Sequence, residues 1–97
     1  MVIIGMVSFP TESSKEMGVR FMELPPYINK RGPYFNSELG VGIRAISIFE
    51  FDPARLAEAT EVINNYYTRY LGVPGYTYTV DIWLEALEAL KLIGLDN

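Results

Sequence analysis

The fold is decided by the stretch IRAISIFEFDP, residues 43–53. Successive side chains of a strand point to opposite faces, so Ala45, Ser47 and Phe49 are expected to share one face. The opposite face is expected to carry Arg44, Ile46, Ile48 and Glu50. Because both faces include large apolar side chains, the stretch predicts a strand that is covered on both sides.

A helix is predicted directly after this strand. Asp52 is a preferred N-cap residue, and Pro53 suits the first helical position. Gly72 and Pro74 then stand in the order that is typical of a helix end.

A second strand is predicted on the other side, over residues 28–37, joined by a glycine-containing turn at residues 38–42. Pro33 has no N–H to donate to a neighbouring strand. This strand is therefore expected at an edge of the sheet or with a bulge.

The amino-terminal part predicts another strand and a helix. Residues 2–9 are rich in β-branched side chains and apolar on both faces. Ser13 and Glu16 fit a capping box, which predicts a helix that continues to Leu24. We expect Gly18 to mark a close approach of this helix to the sheet.

The carboxy-terminal part predicts a fourth strand over residues 75–80, where Tyr76, Tyr78 and Val80 alternate with threonines. Asp81 is expected to cap a last helix over residues 82–93, which Gly94 would end.

The predicted order is β-α-β-β-α-β followed by a helix, in one domain of residues 1–97. This is the ferredoxin-like order of an α+β protein, with an open antiparallel sheet and both crossover helices on one face. The other face is also apolar in its central strands. It therefore needs cover, from the last helix or from a second copy of the chain.

The element order, the added helix and the doubly apolar sheet resemble the dimeric α/β-barrel superfamily. In that group two ferredoxin-like subunits pack sheet against sheet, and its members include small monooxygenases, muconolactone isomerases and stress-related proteins. The resemblance implies a homodimer. Catalytic members often use histidine, which this chain lacks, so no functional residue is carried over from them.

Composition excludes several kinds of chemistry. The 97 residues include no cysteine and no histidine, which removes thiolate nucleophiles, disulfides, histidine bases and serine triads. Eight basic against twelve acidic residues give a net charge of −4, which disfavours nucleic acid as a partner. Gly40 and Gly42 stand in a hairpin and not at a strand-to-helix turn, so no dinucleotide motif is present, and no cofactor is predicted.

The apolar start of the chain, residues 1–9, is too short to span a bilayer. It also lacks the basic region and the cleavage site of a signal peptide. We therefore expect a cytoplasmic protein without a membrane partner.

Four side chains are the best candidates for a ligand site. Arg44 and Glu50 share a face of the central strand, where the arginine could bind a carboxylate and the glutamate could act as a general base. Tyr76 and Tyr78 could line the same pocket and orient a ligand through their hydroxyls. The alternative is that the two charges pair at an interface or lie exposed at the strand ends, while the tyrosines pack in the core.

Other clusters have a simpler explanation. The carboxylate pairs Glu58/Glu61 and Glu85/Glu88 could bind a hard cation, but solvated helix faces explain them as well, and no metal site is predicted. Lys30 and Arg31 form a small basic cluster that could contact a nucleotide strand or protect an exposed edge. A further group of tyrosines is expected in the core: Tyr66, Tyr67 and Tyr70.

Three functions stay open at this point. The first is a small homodimeric protein of no recognised family function that binds an apolar or carboxylate-bearing molecule beside its sheet. The second is a cofactor-independent isomerase or monooxygenase, with Glu50 as the base, although no catalytic motif is recognisable. The third is an assembly module without a ligand.

Overall fold

The computed structural model describes residues 1–94 as an α+β domain, and the predicted domain's residues 95–97 lie outside the described part. Four strands form one antiparallel sheet in the order β2-β3-β1-β4, which is compatible with a ferredoxin-like fold. The strands are β1 (Val2–Phe9), β2 (Asn29–Glu38), β3 (Gly42–Glu50) and β4 (Thr77–Trp83). The helices are α1 (Ser14–Val19), α2 (Leu56–Thr68) and α3 (Ala86–Leu92), with short 3-10 turns at Thr11–Ser13 and Pro53–Arg55.

Strand β2 lies at the edge of the sheet, as its proline predicts. Its register against β3 shifts between Arg31 and Tyr34, on either side of Gly32 and Pro33. Because no strand of the sheet lies on the outer side of β2, the missing N–H of Pro33 breaks no hydrogen bond there. Both parts of the prediction, the edge and the irregularity, are confirmed.

The core lies between the sheet and α2. Its fully buried side chains include Ile3, Phe49 and Ile63. The Phe49 ring meets the Tyr67 ring edge to face, with ring centroids 6.0 Å apart. Tyr67 in turn fills the space above Gly5, where a Cβ atom would overlap its phenol ring.

Helix α1 differs from the prediction in its cap and its length. The Ser13 hydroxyl donates to the Pro74 carbonyl oxygen at 2.7 Å, so it does not cap the helix. The helix ends at Val19 because Arg20 is held by α2, with the Arg69 Nε donating to the Arg20 carbonyl oxygen at 2.9 Å. The expected close approach at Gly18 is also wrong, because a Cβ there would meet no atom within 4 Å.

The end of the chain differs as well. Strand β4 continues through Ile82 and Trp83, which pair with Ile3 and Val2 of β1, so Asp81 lies in a strand and caps no helix. Apolar β-favouring side chains beside the free edge of β1 explain the longer strand. Helix α3 instead begins after Glu85, in a capping box with Glu88.

One face of the sheet carries no helix from the described residues 1–94. Helices α1 and α2 lie on the face of Ile3 and Phe49, while the opposite face exposes 47% of Met6 and 56% of Trp83. The apolar side chains on this open face are Val2, Ile4, Met6, Ile46, Ile48 and Trp83. Helix α3 does not bury them, since its own Leu87 and Leu92 are exposed.

The molecule is extended for its length, with principal extents of 51, 30 and 18 Å. Its accessible surface is 6396 Å². A monomer of this mass is expected to expose about 5,600 Å². The radius of gyration is 15.3 Å, against about 12.5 Å for a compact domain of this length. The chain therefore exposes roughly 800 Å² more surface than a closed monomer of its size.

Candidate functional site

A cavity of about 280 Å³ lies between α1, the sheet and the end of α2. Its wall is almost entirely apolar. The larger side chains around it are Phe9, Met17, Phe21, Phe35, Tyr66 and Tyr70. This is the kind of surface that encloses a small apolar molecule.

Small residues make the space. Gly18 of α1 has no side chain to enter it, and a Cβ atom there would be free of contacts. On the sheet side, Ala45 and Ser47 of β3 are both buried and both short. Three small residues of the wall therefore leave space that larger side chains would reduce.

Tyrosine hydroxyls supply the polar groups around the cavity. Burial raises the pKa of Tyr66 and of Tyr70, and nearby phenols add to the effect for Tyr66. Burial also raises the pKa of Tyr67 to about 12, against the opposing hydrogen bond from Ser47. All three stay neutral in ordinary buffers and can donate or accept a hydrogen bond.

A cation contacts the wall of the cavity, although Lys30 is not itself one of the lining residues. The Lys30 Nζ donates to the Tyr66 hydroxyl oxygen at 2.7 Å. It also lies over the ring of Phe21, 5.0 Å from the centroid, and over the ring of Tyr66, at 4.9 Å. Both rings belong to the cavity wall, and burial lowers the pKa of the Lys30 ammonium.

The predicted site residues Arg44 and Glu50 lie on the open face of the sheet, away from this cavity. Arg44 pairs with Glu38, at 3.2 Å between Nη1 and Oε2. Glu50 pairs with Arg31, at 2.8 Å between Oε1 and Nε. All four side chains are 40–55% exposed, which corresponds to the alternative of exposed charges at the strand ends.

Tyr76 and Tyr78 lie on the opposite face of the sheet, so the structure does not bring them together with Arg44 and Glu50. Their rings stack at a centroid distance of 5.6 Å, and Tyr78 also stacks on Tyr67. The Tyr76 hydroxyl donates to the Tyr67 carbonyl oxygen at 2.8 Å, and burial raises its pKa. The ligand-binding roles of these four residues stay predictions.

The carboxylate pairs have other partners in the structure. Both carboxylate oxygens of Glu58 accept hydrogen bonds from the Arg55 guanidinium, which also lies 3.5 Å from the centroid of the Tyr27 ring. Glu88 contacts the amino group of Met1, and this hydrogen bond lowers the pKa of Glu88. Within residues 1–94 no three His, Cys, Asp or Glu side chains form a group that could hold a metal ion.

Sequence reasoning missed Lys30 because of the irregularity in β2. Lys30 and Phe35 are an odd number of residues apart, yet they pair with Phe49 and Ala45, which share the helix-covered face. The bulge between them reverses the alternation. The sequence does contain Gly32-Pro33 inside the predicted strand. This pair predicts a bulge, but it does not show which residues of the strand then face the helices.

The fold and the site define an α+β domain with one open sheet face and a half-open aromatic cavity on the other. Comparisons of the chain with family models, curated proteins and solved structures find no significant match. No helix among the described residues is long and apolar enough to cross a bilayer.

Proposed function

We propose that this protein binds a small apolar or aromatic molecule in the cavity between α1, the sheet and the end of α2. The observation that carries the proposal is the cavity itself, a space of about 280 Å³ walled by aromatic rings and bordered by tyrosine hydroxyls. Ligand sites typically combine an apolar wall with few polar groups. The size suits a molecule of one or two rings.

Catalysis has less support. The predicted base, Glu50, is held in an exposed ion pair on the other face of the sheet. The tyrosine hydroxyls of the cavity wall have raised pKa values, so they stay protonated at neutral pH and cannot take up a proton from a substrate. We therefore assign binding and not turnover.

Gly18→Leu tests the site with cinnamamide as a neutral, one-ring probe. A glycine replaced inside a helix does not destabilise the fold, and the added side chain enters open space at the cavity wall. We expect the wild type to bind cinnamamide with a Kd of about 1 mM or lower, and the variant to bind at least about tenfold more weakly. NMR titration of the labelled protein measures both and maps the shifted amides.

Ala57→Leu is the matched control, because it adds the same side chain at an exposed position of α2. It should bind cinnamamide as the wild type does. The proposal fails if the wild type does not bind cinnamamide, or if Gly18→Leu binds it equally well.

We also propose that the open face is covered by a second copy of the chain, in the manner of the dimeric α/β-barrel proteins that the sequence resembles. An interface of standard size buries about 800 Å² of each partner, and the apolar side chains of the open face would contribute to that area. An apolar centre with charged and polar groups at both edges is the usual composition of such a surface.

The charges at the two edges support a particular arrangement. One row of register partners crosses the open face; it consists of Arg31, Ile48, Ile4 and Asp81. A two-fold axis parallel to the strands would place β2 of one copy over β4 of the other. Arg31 would then lie over the partner's Asp81, while Ile48 would lie over the partner's Ile4. The row is therefore complementary to itself in both charge and hydrophobicity.

A further inference from the structure

The ammonium group of Lys30 lacks an anionic partner in the described part of the chain. The Arg20, Arg31, Arg44 and Arg55 side chains each pair with a carboxylate there. Arg69 is exposed, and its Nε donates to the Arg20 carbonyl oxygen. Lys15 and Lys91 are exposed, so water solvates their charges. Lys30 is half-buried, and its hydrogen bond goes to a neutral phenol.

Such a group is poorly solvated but well oriented. Two of its three N–H donors remain after the bond to Tyr66. The ammonium lies over the rings of Phe21 and Tyr66, both of which belong to the cavity wall, and cation–π attraction favours this position. An anionic ligand with an apolar group could form a charge-assisted hydrogen bond with this ammonium while its apolar part contacts the wall.

We propose that the molecule bound in the cavity carries a carboxylate, and that Lys30 binds this group while the aromatic wall binds the rest. The inference rests on the proposed binding function and adds the chemical class of the ligand. It predicts that an aryl or alkyl carboxylate is preferred to a neutral analogue of the same shape.

Cinnamate and cinnamamide form a matched pair of probes, because they differ in the charge of one group. We expect wild-type protein to bind cinnamate about tenfold more tightly than cinnamamide, the size typical of one charge-assisted hydrogen bond. Lys30→Met keeps the apolar stem and removes the charge. In this variant the two Kd values should become equal, mainly because cinnamate binds more weakly.

Two further variants separate charge recognition from damage to the fold. Lys30→Arg keeps the cation and should retain a preference for cinnamate. Lys15→Met removes an exposed charge from α1 and should leave the ratio of the two Kd values as in the wild type.

The outcomes distinguish this inference from the proposed function. Equal Kd values in the wild type, or a preference for cinnamate that survives Lys30→Met, would overturn the role of Lys30 and leave the cavity as a binding site. If neither probe binds the wild type, the proposed function fails and the inference fails with it.

Discussion

The phenol ring of Tyr67 occupies the position that a side chain at Gly5 would take. Gly5 is a buried residue of the central strand β1, and Tyr67 descends on it from α2. The absence of a Cβ atom therefore lets the helix place a large aromatic ring directly on the sheet. The same ring then forms part of the cavity wall.

Gly5→Ala should destabilise the protein by about 2–3 kcal/mol or more, because an added methyl group must displace a buried ring. Urea unfolding measures the loss. Combining Gly5→Ala with Tyr67→Leu should cost less than the sum of the two single changes, because the smaller side chain relieves the overlap. Strict additivity would show that the two residues do not compete for this space.

Stability should fall at alkaline pH. The pKa of Tyr67 is about 12 in the folded protein and about 10 in an unfolded chain. The neutral phenol therefore stabilises the fold fully below about pH 10, and this contribution is lost as the pH rises towards 12. Tyr66 and Tyr76, whose pKa values are also raised, act in the same direction.

Urea unfolding at a series of pH values tests this dependence. The free energy of unfolding should decline by up to about 1 kcal/mol per pH unit for each such tyrosine. Tyr67→Phe should decline less steeply than the wild type. An equal slope in both proteins would contradict the assignment to Tyr67.

Charge exchange tests the arrangement of the dimer. Asp81→Lys and Arg31→Glu should each weaken self-association by about tenfold, since each places like charges opposite one another across the two-fold axis. The double variant Arg31→Glu/Asp81→Lys should self-associate nearly as tightly as the wild type, because it restores opposite charges. Sedimentation equilibrium gives the dissociation constants.

A monomeric wild type at all accessible concentrations would contradict the dimer. If the wild type is a dimer and neither single change alters its dissociation constant, self-association is supported but the proposed two-fold axis is wrong. Lys15→Glu, on the exposed part of α1, provides a control for the net charge.

Glu50→Gln should leave ligand binding unchanged. Glu50 is 40% exposed and pairs only with Arg31 on the open face, far from the cavity. We expect the cinnamamide Kd to change by less than about twofold, and the stability by less than about 1 kcal/mol, as for other exposed ion pairs. A large loss of binding would indicate that Glu50 belongs to the ligand site and would support the catalytic hypothesis.

The sequence predicted those parts of the fold that depend on local patterns. The alternation in residues 43–51 predicted β3, and Asp52 caps the following turn by accepting a hydrogen bond from the Ala54 N–H at 2.9 Å. Pro33 predicted an edge strand with an irregularity. Each of these signals acts within a few residues of the structure it specifies.

The errors arise where distant contacts decide. Helix α1 ends early because Arg20 is bound by the end of α2, and β4 is long because β1 offers a free edge beside Ile82. The cavity brings together Gly18 and Ala45, which are 27 residues apart in the printed sequence. No periodicity within one element reveals such a juxtaposition.

The bulge in β2 has an evolutionary consequence. Lys30 and Arg31, which directly precede it, pair with Phe49 and Ile48 and so lie on opposite faces of the sheet. Gly32 and Pro33 together stand opposite a single residue of β3, Ser47. Loss of one of them would remove the bulge and leave both pairs in register, so Lys30 and Arg31 would keep their faces. The chain can therefore change in length by one residue at this point without exchanging the two cations.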